Sequence, residues 1–209
     1  MHKLSTEKIC LCAIKLLDQC GLESLSMRNL ASMLGVEAMS LYNHIKNKEE
    51  LLDQVVDYLI RFFKVPKKTK NWKEGIRKRA LSVRKVLRKH PWITMFLISR
   101  MNIGPNMLRY FDSSLGILIR AGFSFTEADH IVNVVDSHIY GFTLQELNFP
   151  IKSNDYIQSA KFFLPSLPAD KYPYLRKLTE EVISKRYNGL HNFEFGLNLI
   201  LEGIEKERT

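Results

Sequence analysis

The sequence predicts an all-α protein. Three observations carry that prediction. Apolar residues recur at spacings of three and four through almost every segment, β-branched runs between turn residues are lacking, and Ser, Thr, Asn or Pro stands where most periodic stretches begin.

A first helix follows Ser5, a cap residue, and puts Ile9, Ala13, Leu16, Leu17 and Cys20 on one face before Gly21 ends it. Ser26 caps a short second helix reaching Leu34, Gly35 makes a tight turn, and a third helix spans Glu37 to His44. Asn47 caps a fourth, and Glu50 completes a capping-box pattern ahead of Leu51, Leu52, Val55, Val56, Leu59, Ile60 and Phe63. A stripe that broad must pack on two partners at once. Residues 48–64 are therefore expected to connect a small N-terminal module, residues 1–48, to a larger body, residues 65–209.

Pro66 closes the connector, and Trp72, Ile76, Ala80, Val83 and Leu87 form the apolar face of a basic fifth helix that stops before His90-Pro91. A helix from Trp92 to Arg100 and a turn at Asn102-Ile103-Gly104-Pro105 come next. Pro105 to Ala121 then forms a helix ended by Gly122, and a long helix runs from Glu127 to Leu147 with Thr126 as its cap. The stretch 148–173 is punctuated by proline and has room for one short helix. Helices over 174–187 and 191–205 complete the chain.

The 209 residues carry a net charge of +9, distributed unevenly. Residues 1–64 hold eight Lys/Arg against eight Asp/Glu, whereas 65–90 hold eleven cations against Glu74 alone. Basicity thus marks a patch from Lys67 to Lys89, read first as a solvated helix face, with attraction of DNA, an anionic ligand or an acidic partner as sharper readings. Cys10, Cys12 and Cys20 lie on one helix with spacing unsuited to disulfides and are expected to be buried, reduced thiols. No apolar run approaches the roughly 20 residues of a membrane helix, and the start Met1-His2-Lys3-Leu4-Ser5 leads directly into a charged amphipathic segment. A cytoplasmic protein without membrane association is expected. His130, Asp136 and His138 share one helix, but the two histidines stand roughly 12 Å apart along its axis, too far to share a metal. Phosphate loops and nucleophile elbows are lacking as well, so no metal, cofactor or catalytic residue is expected.

The informative segment is Val36 to Ile45. Val36, Leu41 and Ile45 can seat the third helix, which leaves Glu37, Ala38, Ser40, Tyr42, Asn43 and His44 outward. Outward amide, hydroxyl and aromatic groups on a short helix suit a major groove, where amides read adenine edges and hydroxyls reach phosphates.

Gly21-Leu22-Glu23-Ser24-Leu25-Ser26-Met27-Arg28-Asn29-Leu30-Ala31, Leu34-Gly35-Val36, Leu41-Tyr42-Asn43-His44-Ile45 and Asn47-Lys48-Glu49-Glu50-Leu51-Leu52 together resemble the DNA-binding domain of TetR-family repressors. Phe193-Glu194-Phe195-Gly196-Leu197 through Ile204 resembles the last helix of the subgroup nearest the tetracycline repressor, and His90-Pro91-Trp92 its turn after the fifth helix. The resemblance implies phosphate contacts from Ser26, the Met27 backbone, Ser40, Tyr42 and Lys48. It implies base contacts from Arg28, Glu37, Ala38, Met39, Asn43 and His44. Glu37 departs from the expected chemistry, because a carboxylate can accept from cytosine but repels phosphate. Ser26 stands where Thr is more usual.

The resemblance further implies a homodimer on double-stranded operator DNA. Its interface would be built by the long helix and the last helix, with Val134, His138, Phe193, Leu197, Ile200 and Leu201 supplying apolar surface. For the middle helices, Phe62, Met95, Phe96, Ser99, Asn102, Tyr110, Phe111, His138, Phe142 and Gln145 are the candidate lining of a small-molecule cavity. Tetracycline itself is not implied. The function expected is a repressor released from a palindromic operator by a small ligand. An architectural DNA-binding protein of the same fold, or an enzyme, are the rivals.

Overall fold

The computed structural model describes residues 4–66, 69, 71–101, 103–152, 155–189 and 191–207, and among them finds α-helices joined by short turns and no strand. Helix α1 (Thr6–Cys20) starts where Ser5 Oγ accepts from the Lys8 amide, and ends at Gly21, whose φ of 74° only glycine adopts without strain. A 3-10 turn over Leu22–Ser24, absent from the sequence reading, leads to α2 (Met27–Leu34). There Ser26 Oγ accepts from the Asn29 amide at 3.1 Å, and Gly35 at φ 66° turns the chain into α3 (Ala38–Tyr42).

Helix α3 is shorter than the expected span from Glu37 to His44. Asn43 and His44 lie in the turn that closes it, where the His44 and Ile45 amides both donate to the Leu41 carbonyl. The connector α4 (Lys48–Ile60) likewise ends before residue 64, in a turn closed by Phe62 and Phe63 amides on the Leu59 and Ile60 carbonyls. At its start Asn47 Oδ1 accepts from the Glu50 amide at 2.8 Å, as a capping box requires. The return arm differs, since Glu50 Oε2 accepts from the Lys46 amide at 2.7 Å. Leu51, Leu52, Val55, Val56, Leu59 and Ile60 are all buried, and α4 packs on α1 and also on α7 (Pro105–Ile119).

The body is built on α5 (Trp72–Lys89), α6 (Ile93–Ser99), α7 and α8 (Phe125–Leu147), with α5 packed on both α7 and α8. Helix α8 begins two residues earlier than expected. Ser124, not Thr126, caps it, because Glu127 sits at the third position from Ser124 and closes a full capping box there. Helices α9 (Tyr156–Phe163) and α10 (Pro173–Ile183) pack on each other, and α11 (Phe193–Glu207) returns along α8.

Two expectations need correction. Of the three thiols only Cys10 is buried. Its pKa is pushed up to about 11 by desolvation and by Glu7, while Cys12 is half-buried and Cys20 exposed. Cys20 ends its helix, beyond the reach of the packing face. The α5 charge is also not simply a solvated face. Lys73 reaches Glu202 and Arg77 bonds Asn198, both on α11, and Arg84 meets Glu146 on α8 at 2.7 Å. Arg79 is fully buried. An acidic layer on α8 and α11, distant in sequence, takes up much of the basic stripe. Lys67, Lys68 and Lys70 of that stripe lie outside the described residues.

Candidate nucleic-acid interface and ligand cavity

Leu30 and Ala31 of α2, with Leu41 and Ile45 around α3, are buried and seat the pair against the N-terminal core. That anchoring decides what faces out. Met39 is 72% and Tyr42 46% exposed, and Arg28, Glu37 and Asn43 are exposed beside them. Met27, Ala38, Ser40, His44 and Lys48 are half-buried, as is Ser26, whose Oγ is held by capping while its own hydroxyl proton remains free to donate. Asn29 Nδ2 donates to the Ser24 carbonyl at 2.8 Å and steadies the first turn of α2. The exposed residues carry an amide, a phenol, a guanidinium, a thioether and the Glu37 carboxylate.

Polar clasps join this module and the connector to the body. Asp18 of α1 accepts from Trp92 Nε1 at 2.8 Å and from His90 Nδ1 at 2.9 Å. Arg100, after α6, pairs with Glu49 at 2.6 Å and Asp53 at 3.1 Å on α4. Asp57 of α4 accepts from the Asn106 and Met107 amides, both at 3.0 Å, and from Asn106 Nδ2 at 2.7 Å. A carboxylate of the connector thereby caps α7, where the macrodipole favours negative charge. The fit depends on Gly104, since a Cβ there would fall 2.3 Å from Asp57 Cγ. Asp18, Glu49, Asp53, Asp57 and Arg100 were not singled out from the sequence. Local pattern assigns them only to exposed helix positions.

A cavity of about 330 Å³ lies between the end of α6, α7 and α8, lined among others by Arg100, Met107, Phe111, Val132, Asp136 and Tyr140. One wall is a buried polar network. Arg79 Nη2 lies 2.8 Å from Asp136 Oδ1, its Nε donates to Ser114 Oγ at 2.8 Å, and its guanidinium stands 4.7 Å from the Tyr110 ring centroid. Burial pushes the Asp136 carboxyl above the usual carboxylate range, and Arg79 and the Tyr110 hydroxyl pull it back. The cavity thus offers an apolar body with charged groups at two edges.

The expected ligand residues do not gather around one cavity. Phe111 lines this one, and Tyr110 lies buried behind it with its hydroxyl 3.4 Å from Asp136. Phe96 is packed in the core, Met95 is exposed, and Ser99 Oγ is spent on the Met95 carbonyl of its own helix. Phe62 lines a groove between the end of α4 and α5, whereas Phe142 and Gln145 line a recess near Tyr156. Asn102 lies outside the described residues. Helical spacing showed which residues shared a face, but not which faces enclosed a void.

His138 belongs to the α8–α11 contact instead. Its Nε2 lies 3.0 Å from the Phe193 carbonyl, which can only accept, and its ring stacks on Phe193 at 4.8 Å. Gly196 permits that approach, because a Cβ there would fall 2.5 Å from the imidazole. Phe193, Leu197 and Leu201 are buried within the protomer, which corrects their assignment to a surface between protomers. Apolar residues are turned outward at both ends of α8, at Phe125 and Leu147, and along the middle of α8 and α11 at Val134, Phe195 and Leu199, with Ile200 half-buried. Phe195 and Leu199 were missed because periodicity marks a face without saying which of two neighbours it meets.

Residues 65–208 match the family described as tetracyclin repressor-like, C-terminal domain, and residues 12–55 the tetR family of bacterial regulatory proteins. The HTH-type transcriptional repressor DrrR1 of Streptomyces coeruleorubidus is 26% identical over 97% of this chain and 77% of its own length. The class E tetracycline repressor protein of Escherichia coli is 29% identical over 100% of this chain and 97% of its own. Among solved structures, the Streptomyces coelicolor protein ActR in complex with actinorhodin superposes with a TM-score of 0.81 at 27% identity, covering 98% of this chain and 96% of that one.

Proposed function

The chain belongs to the tetR family of bacterial regulatory proteins, and from that premise we propose that it is a cytoplasmic, ligand-responsive transcriptional repressor acting as a homodimer on a palindromic operator. Its division of labour follows the chain. Residues 1–48 read DNA, the connector 48–64 transmits, and residues 65–209 bind ligand and dimerise.

In this reading Arg28, Glu37, Ala38, Met39, Asn43 and His44 face base edges. Ser26, the Met27 backbone, Ser40, Tyr42 and Lys48 hold phosphates. One such reader contacts few base pairs, and each good bidentate contact discriminates by only about 1–3 kcal/mol, so two must act together. The outward apolar residues Val134, Phe195, Leu199 and Ile200 on α8 and α11 supply the surface on which two protomers would pair.

The observation that carries the ligand-responsive half is the position of Arg100. It lines the cavity and at the same time pairs with Glu49 and Asp53 of the connector. A ligand that draws the guanidinium inward frees α4 to tilt, which changes the spacing of the two α3 helices away from successive major grooves. A coupling of about 1–3 kcal/mol gives a 5- to 150-fold change in operator affinity. A ligand-responsive reading is supported by ActR, which is seen in complex with actinorhodin. The cavity lining favours a compound with an apolar body and polar groups at its edges. The protein's work is binding, without turnover.

Selection from a random duplex library at near-physiological salt tests the reading. The expected product is a palindrome with half-sites about one helical turn apart, recovered by the wild type and lost with Tyr42→Ala. Sequence-blind, salt-sensitive binding by both proteins would reduce the interaction to phosphate attraction and sink the proposal.

A further inference from the structure

We propose that the groove between the end of α4 and α5 is a second ligand site, one that takes a small amphipathic anion such as an acyl or aryl carboxylate. Its volume is about 730 Å³, within the range of small-molecule sites. Phe62, Val65, Leu81 and Val86 make the floor apolar, and Lys64, Lys78, Lys85 and Lys89 surround it. Among the described residues no carboxylate lines it, and Asp18, which bonds the lining residue His90, is taken up by His90 and Trp92.

The charge at this groove differs from the rest of α5. Lys73, Arg79, Arg84 and Arg88 meet carboxylates on α8 or α11, Arg77 bonds the Asn198 amide on α11, and Lys78 meets Glu74. Among the described residues Lys64, Lys85 and Lys89 have no carboxylate partner, and all three border the groove. Three uncompensated ammonium groups over an apolar floor are complementary to a ligand with one anionic head and a greasy body. The head is held by the lysines, whose stems extend the apolar wall, and the body lies on Leu81 and Phe62. An extended polyphosphate chain gains nothing from that floor, which is why a small amphiphile fits better than nucleic acid.

The groove shares no lining residue with the cavity beside Arg100. It lies where the chain leaves the connector, and that segment is clasped to α5 through Ser82. Ser82 Oγ accepts from the Lys64 amide at 2.8 Å and donates to the Phe62 carbonyl at 3.3 Å. An occupant therefore touches both the connector's exit and the body.

The full-length protein is titrated by calorimetry with dodecanoate, 1-dodecanol and dodecyltrimethylammonium, all below micellar concentration. Saturable binding of dodecanoate is expected, about tenfold tighter than dodecanol and about tenfold weaker in the combined variant Lys64→Gln, Lys85→Gln, Lys89→Gln. Leu81→Trp, which fills the floor, abolishes it, whereas Phe111→Trp in the other cavity leaves it unchanged. Dodecanoate also shields the three lysines from acetic anhydride, read by mass spectrometry. Equal affinity for dodecanol and dodecanoate overturns the proposal, as does undiminished binding by the exposed-lysine variant, which keeps its fold. Shielding of these lysines by a DNA duplex and not by dodecanoate would make the surface a nucleic-acid contact instead.

Discussion

Arg79 and Asp136 are the most consequential single residues in the body. The guanidinium has no exposure, yet one of its terminal nitrogens, Nη1, finds no hydrogen-bond partner among the described residues. The network is therefore held by geometry as much as by net energy, because desolvation offsets much of the Coulomb attraction in a buried pair. Removing one member leaves the other charge stranded. Arg79→Met is expected to cost about 3–5 kcal/mol in denaturant unfolding, and pairing it with Asp136→Leu should recover a large part of that loss. If the single and double variants unfold alike, the pair is not coupled.

At the scale of elements, α4 is a core helix and, in the proposed mechanism, also the transmitter, and the two roles would use different faces. Its apolar face seats α1 and α7, while Glu49, Asp53 and Asp57 hold Arg100 and the start of α7. Asp57 is the tightest mechanical link, since it satisfies two amides that α7 otherwise leaves open. Asp57→Ala is expected to destabilise the protein by about 1 kcal/mol, the worth of an ordinary cap. It should also loosen the connector from the body, so that operator affinity responds less to ligand. Thermal unfolding combined with DNA titrations at zero and saturating ligand separates the two effects. An unchanged ligand response would show that Asp57 only stabilises.

For the whole molecule, the exposed apolar surface on α8 and α11 lies on the two helices through which the proposed dimer would pair. Phe195 at 65% and Leu199 at 60% exposure flank the buried Leu197, so α11 is apolar on two sides and satisfies only one of them within the protomer. In the proposed dimer a second copy would cover the other side. Leu199→Lys is expected to shift the protein to monomer in sedimentation with its helicity intact, and to weaken operator binding far more than binding to a single half-site. Sedimentation as a dimer after Phe195→Lys and Leu199→Lys together would place the interface elsewhere.

The sequence by itself determined the helices and part of the exposed surface around α3. Caps at Ser5, Ser26 and Asn47, the left-handed turn at Gly35 and the anchors Leu41 and Ile45 act within a few residues, so spacing alone gave Glu37, Tyr42 and Asn43 as outward, but it missed Met39, the most exposed side chain of α3, and it placed outward Ala38, Ser40 and His44, which are half-buried. Even a local feature can mislead, since Ser124 and not Thr126 caps α8, the side chain of Glu127 reaching back to the Ser124 amide. Tertiary structure decided everything that depended on which face meets which neighbour: the burial of Arg79 against Asp136, the use of Phe193, Leu197 and Leu201 inside the protomer, the clasp of Asp57 on α7, and the separation of the expected ligand residues into different cavities. A helical period reports the direction of a side chain relative to its own axis. Partners contributed by helices far away in the chain, and the voids left between them, exist only once the helices have packed.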